Sequence, residues 1–361
     1  MSAITEQKCP CCGGAVEFDI SSQNLKCPYC GTEFDIAALQ QAEQNSAAAN
    51  AEDSISWSTQ NTGWNAGETD GMSVYGCNSC GGEIVADATT GATSCPYCGN
   101  QVIMKGQFSG ALRPDLVIPF KLDKKAAKEA LKKHISSKKF VPKLFKSDNR
   151  LEEIKGVYVP HWLFSGDAVA NAGFKGTKTT KWSDSDNNYT ETSYFDIYRS
   201  GSVSFENIPV DGSSKMPDDL MESIEPFNVN EAVPFSTAYL AGYLADKYDV
   251  SVDDSYGRAN ERIKQSAGSA LGNSVYGYDT VNLANINMNI ANGNYKYALY
   301  PVWILASKWN GKNYTFAMNG QTGKMTGDIP TDNKAVLTAS AIAGAAIGAV
   351  LYGILWLIAL M

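Results

Sequence analysis

The chain has 361 residues, enough for two or three folded units, with 44% apolar and 19% charged side chains. That balance excludes wholesale disorder and a collagen-like architecture, and a net charge of −8 disfavours non-specific binding to phosphate backbones. Two histidines leave little room for His-based metal or acid–base chemistry, whereas nine cysteines carry most of the information. The charge is unevenly placed. Residues 1–100 hold two basic and twelve acidic side chains, residues 105–155 hold fourteen basic and six acidic, and the remainder is acidic again.

The N-terminal third contains one segment twice, at an offset of 68 residues. CPCCGGAVEFDISSQNLKCPYCG runs from Cys9 to Gly31, and CNSCGGEIVADATTGATSCPYCG from Cys77 to Gly99. A C-x-x-C pair at a tight turn aims two thiolates at one metal, and two such knuckles joined by a β-hairpin complete a tetrahedral site. The register assigns Cys9, Cys12, Cys27 and Cys30 to a first site and Cys77, Cys80, Cys95 and Cys98 to a second. Thiolates in that geometry favour zinc, two ions in all, with iron as the rival. Cys11 aligns with Ser79 and is left over, or exchanges with Cys12. Haem attachment needs C-x-x-C-H, which none of the pairs supplies. Disulfides need an oxidising compartment, and no export signal is visible at the start of the chain.

Closed all-thiolate sites are structural rather than hydrolytic. The sequence therefore predicts two small rubredoxin-like zinc ribbons, over residues 1–35 and 74–104, that act through the surface they present. That surface is acidic, and each four-thiolate site with one divalent ion adds a charge of about −2. A protein partner is therefore expected at the ribbons and nucleic acid is not. Residues 36–73 are rich in Ala, Gln, Asn and Ser without a sustained apolar period, and are expected to be a flexible linker.

Residues 105–334 read as a mixed antiparallel α+β domain. Leu116–Leu122 is a predicted strand. Asp123 then caps a helix with Ala127, Ala130, Leu131, His134 and Ile135 on one face. Val157–Phe164 and Tyr189–Phe205 read as strands, and Glu231–Lys247 and Asp253–Ser266 as helices. Asn310-Gly311 and Asn319-Gly320 mark tight turns in an antiparallel meander from Leu299 to Ile329. Ile118-Pro119-Phe120 is echoed by Glu225-Pro226-Phe227, and Tyr158-x-Pro160-x-Trp162 by Leu299-x-Pro301-x-Trp303, which suggests an internal duplication.

Residues 335–361 carry no charged side chain and are long enough for a transmembrane helix. Ser340, Gly344 and Gly348 share one face of it, a small-xxx-small pattern suited to a second copy or another helix. Reduced thiols place the bulk of the chain in the cytoplasm. The expected location is the inner (cytoplasmic) membrane, single-pass, with lipid around the C-terminal helix.

No catalytic or organic-cofactor motif is found, and the chain reads as a non-enzyme. Gly323-Lys324-Met325 lacks the upstream glycine and the Ser/Thr of a P-loop. His161, between Pro160 and Trp162, reads as a core histidine, and Trp303, Trp309, Tyr314 and Phe316 as core aromatics. The lysine-rich stretch Lys121–Lys155 reads first as a solvated face, then as a contact for anionic headgroups, then for nucleic acid.

The paired ribbons contribute to a wider resemblance, together with Pro209-Val210-Asp211-Gly212-Ser213, Glu225-Pro226-Phe227 and Tyr239-Leu240-Ala241-Gly242-Tyr243. Tyr300-Pro301-Val302-Trp303 and Asn319-Gly320-Gln321-Thr322-Gly323-Lys324 belong to it too. The whole chain resembles the bacterial membrane-anchored TFIIB-type zinc ribbon-containing proteins, some of which carry a primosomal helicase label. The missing P-loop argues against that label here. The resemblance implies a setting beside phage-shock-protein-A-like and SPFH-domain proteins in envelope-stress or membrane-remodelling machinery. The expected role is a membrane-tethered adaptor or scaffold that recruits a cytoplasmic protein partner. The alternative is a membrane-associated nucleic-acid-binding protein of the transcription or replication type.

Overall fold

A computed structural model describes residues 9, 12–20, 22, 24–59, 61, 63–87, 90, 94–107 and 111–360. Cys11 lies outside the described residues. The chain opens with short strands β1 (Glu17–Asp19), β2 (Asn24–Lys26) and β3 (Glu33–Phe34), helix α1 (Ile36–Ala49) and strand β4 (Ser54–Ser58). Strands β5 (Ser73–Gly76), β6 (Glu83–Ala86), β7 (Ile103–Gln107) and β8 (Leu116–Val117) lead to helices α2 (Lys124–Ser136) and α3 (Asp148–Leu151). Two long strands follow, β9 (Lys155–Ser183) and β10 (Asn188–Asp211), then α4 (Asp218–Ser223), β11 (Val233–Pro234) and β12 (Leu244–Asp246). Helix α5 (Val252–Gly272), strands β13 (Thr280–Trp309), β14 (Lys312–Asn319) and β15 (Met325–Gly327), and helix α6 (Asn333–Leu360) complete the order.

These elements form two compact units. One comprises Met1–Thr59, Leu163–Val210 and Tyr256–Tyr295, the other Gln60–Trp162, Asp211–Ser255 and Lys296–Met361. The single domain expected over 105–334 is therefore divided. Its strands β9 and β13 run for 29 and 30 residues and contribute to both units. The apolar run that betrays β9 in the sequence covers only Val157–Phe164; beyond it Gly, Ala, Lys and Thr continue the strand.

In the first unit, β1, β2 and β3 make a small antiparallel sheet. The segment 36–73, expected as a flexible linker, is corrected here: it carries α1 and β4. Asp35 starts α1 by accepting the Ala37 and Ala38 N–H groups at 2.7 and 3.2 Å. The helical propensity of Ala, Gln and Glu does what an apolar stripe does elsewhere. Strand β4 runs parallel to β13, with Ile55 opposite Ile290 and a bulge before Gly293. Gly293 has its reason: a Cβ there would lie 2.5 Å from the Trp57 ring. Helix α5, expected over Asp253–Ser266, brings Ile263 and Ala267 onto Ala168, Ala170, Phe205, Met288 and Ile290.

In the second unit the strand order is β11-β8-β13-β9-β12-β6-β5-β7, with β14 and β15 continuing from β13. The sheet is mixed rather than antiparallel throughout, because β8 pairs parallel with β13 and β12 parallel with β9. Leu116–Leu122 keeps only its first two residues as strand. Asp123 does cap α2, accepting the Ala126 N–H at 2.8 Å, and Ala127, Leu131 and Ile135 pack on Phe145, Trp303 and Phe316. Trp309 and Tyr314 are partly buried against the same cluster. Residues Glu231–Lys247 are not a helix. Pro234 and Gly242 interrupt them, leaving 3₁₀ turns at Val229–Glu231 and Thr237–Leu240 and the strands β11 and β12. The second Pro-Phe motif thus opens a 3₁₀ turn where the first opens a helix, and the echo is not one of matching elements.

The meander is as expected. Asn310 and Gly311 take φ values of 47° and 79°, the two positive angles that a tight hairpin turn needs. Asn319-Gly320 instead begins a longer loop, closed by the Gly323 N–H on the Asn319 carbonyl at 2.9 Å. His161 is buried and stacked on Tyr300 at 4.1 Å. Within α6, Asn333–Ile354 is long and apolar enough to cross a membrane, and none of it is buried in the protein. Gly344 and Gly348 have open space around them.

Candidate metal centres

Four knuckles of one design build the two sites. In each, the N–H of a glycine donates to the carbonyl of the leading cysteine: Gly13 to Cys9, Gly31 to Cys27, Gly81 to Cys77 and Gly99 to Cys95, at 2.8–3.0 Å. The leading cysteine's own N–H donates five residues on, to Gly14, Thr32, Gly82 and Asn100, at 2.7–2.9 Å. These four glycines have φ between 73° and 75°, where a side chain would be strained, which explains the invariant glycine after each pair.

The structure brings together the residues that the spacing selected. Cys9, Cys12, Cys27 and Cys30 form one group and Cys77, Cys80, Cys95 and Cys98 another, each with its sulfurs within 4.8 Å of one another. Sγ–Sγ distances of 3.5 and 3.6 Å occur in both groups. A disulfide needs about 2.05 Å, so the thiols are not bonded. Four sulfurs about 2.3 Å from a central ion would be roughly 3.8 Å apart, close to what is found. Each group can hold one metal ion.

The last cysteine of each group is tuned toward the charged form, whereas Cys12 and Cys80 are shifted the other way. The Thr32 hydroxyl and backbone bring Cys30 down to about 6. Partial burial pushes Cys98 up, but hydrogen bonds from the Asn100 backbone and side chain prevail and leave it at about 7. Burial pushes Cys95 well up, so a cation would be required to keep it ionised.

What differs is the surroundings. Tyr29, between Cys27 and Cys30, is 76% exposed, whereas Tyr97, between Cys95 and Cys98, is 6% exposed. The Tyr97 phenol faces Asp246 on β12. Burial pushes the Asp246 carboxyl up to about 7; the Ser213 and Tyr97 hydroxyls and Lys215 act the other way. Neither Asp246 oxygen reaches hydrogen-bond geometry. Glu83 on β6 receives Lys105 and Lys247, each at 2.9 Å. Lys155 donates to the Ser94 carbonyl at 2.5 Å, on the rim of the second centre. Asp246, Glu83 and Lys155 are marked by no motif. Tyr97 sits in the same C-P-Y-C-G string as Tyr29, and only the distant strands set them apart.

A mixed α+β fold with two four-cysteine groups and one apolar C-terminal helix defines the class. No family model matches the chain, and no solved structure matches it. It is 34% identical over 344 residues to the uncharacterized protein YdjG of Bacillus subtilis (strain 168), across 94% of this chain and 95% of that one. The chain belongs to the YdjG family.

Proposed function

We propose that the chain is a single-pass inner-membrane adaptor, with α6 as the anchor and the bulk of the protein cytoplasmic. In this reading zinc closes both cysteine groups as rubredoxin-like ribbons, and the first ribbon captures a cytoplasmic protein. The observation that carries it is the surface of the first ribbon, where Tyr29 and Phe18 are 76% and 48% exposed on an acidic segment. Exposed aromatics at a rigid knuckle are anchors for a protein partner, and the acidic surroundings repel phosphate. Given the resemblance set out above, a phage-shock-protein-A-like or SPFH-domain protein is the candidate partner. Ser340, Gly344 and Gly348 offer α6 a face for a second copy in the bilayer.

The test is affinity isolation from detergent-solubilised membranes, with zinc and iron per chain measured by mass spectrometry. A protein recovered with wild type and lost from both Tyr29→Ala and Cys27→Ser supports the reading, as do two zinc ions per chain. Unchanged recovery with both variants overturns it. Nuclease-sensitive nucleic acid without a protein would install the alternative role instead.

A further inference from the structure

Helix α6 does not leave the second unit on a loose tether. Ile329 packs against the cluster of Ile135, Val141 and Phe145, and Pro330 is buried. The Asp332 N–H then donates to the Phe140 carbonyl at 2.8 Å. The same residue caps α6, its carboxylate accepting the Lys334 and Ala335 N–H groups at 3.0 and 3.2 Å. The start of the apolar helix is thus fixed to the segment 137–147.

That segment presents an unusual surface. Val141 and Phe145 point inward, with 7% and 0% exposure, and hold it in place. Lys138, Lys139, Lys143 and Lys146 are exposed and have no ion-pair partner among the described residues, unlike Lys128 and Lys132, which pair with Glu152 and Asp148. Between them Phe140 and Leu144 are 39% and 36% exposed. Phe140 takes φ of 58°, a backbone conformation that a bulky residue rarely adopts, while its carbonyl meets Asp332.

We propose that this patch is a second membrane contact, in which the four lysines meet anionic headgroups and Phe140 and Leu144 enter the interface. It rests on the reading of α6 as membrane-spanning. A hydrocarbon core of about 30 Å takes about 20 residues of helix, so α6 enters the bilayer within its first turns. Phe140 is one hydrogen bond from that point, and lysine stems reach far enough to put their charges within the screening length of about 8 Å. Lysines beside an anchor on the cytoplasmic side, with an aromatic at headgroup depth, match what an anionic leaflet attracts.

The full chain in nanodiscs tests this, with phosphatidylcholine alone against phosphatidylcholine containing about 30% phosphatidylglycerol. Hydrogen exchange of residues 137–147 should slow about tenfold in the anionic discs, and the difference should vanish at high salt. Replacing Lys138, Lys139, Lys143 and Lys146 together by Gln should abolish it; all four are exposed, so the fold is spared. Phe140→Ser should reduce it. Equal exchange in both lipids, or protection that survives the fourfold variant, overturns the contact alone. A chain that does not co-elute with discs overturns the anchor as well.

Discussion

The two cysteine centres are one module in two settings. Their cysteine spacing is the same and their 3.5 and 3.6 Å sulfur distances agree to within 0.1 Å, yet the first stands on its own small sheet and the second is built into a large one. The strand after the first knuckle explains why. At the offset of 68, Ile84, Val85 and Ala86 of the second ribbon correspond to Val16, Glu17 and Phe18 of the first. The second set is buried, at 0%, 3% and 0% exposure, and pairs with β12 through Ala245↔Val85 and Asp246↔Ile84. A glutamate in the middle of the first set cannot be buried that way. Sulfur geometry is thus set locally, while attachment to the fold is set by one strand face.

The comparison can be broken most forcefully at the ligands. With metal bound, a structural site contributes on the order of 10 kcal/mol, comparable to the whole stability of a domain. Cys95→Ser should therefore abolish the cooperative thermal transition of the second unit, and Cys27→Ser should leave it in place; calorimetry of the detergent-solubilised chain would read both. The tyrosines come next. Tyr97→Ala should cost about 3–5 kcal/mol, as for other buried aromatics, whereas Tyr29→Ala should leave denaturant unfolding unchanged.

Asp246 gives the second unit a pH signature. Its folded value of about 7, set by burial, lies above the unfolded value of about 3.9. Between these values the folded state binds more protons, so stability falls as pH rises from about 4 through about 7. Asp246→Asn should remove that slope and stabilise the second unit by a few kcal/mol at pH 8, measured by unfolding across the pH range. The smallest contrast lies in the ion pairs. Glu83→Gln loosens two part-exposed lysine pairs and should cost about 1 kcal/mol. Glu33→Gln, which loses only the exposed Lys26 pair, should be silent in the same titration.

The eight grouped cysteines were legible because a knuckle is a short-range object: two thiols and a glycine fix it within six residues. The helix after Asp123 and the Asn310-Gly311 turn were legible for the same reason. What escaped was set at long range or by propensity without pattern. Helix α1 has no apolar stripe, so its alanines read as linker. The Glu231–Lys247 segment has apolar residues at helical spacing, but Pro234 and its pairing partners on β8 and β9 decide for strands. Asp246 looks like any surface acid until β6 and Tyr97 close over it.

The pairing of β6 with β12 has a kinetic side. Ile84 meets Asp246 across more than 150 residues of intervening chain, and such a closure is slow to find. The second ribbon needs only the 22 residues from Cys77 to Cys98, and an ion that closes it early presents β6 as a finished edge on which β12 can dock. Metal supply during synthesis would then govern how fast the second unit assembles, and a chain loaded late would reach the same structure by a longer search.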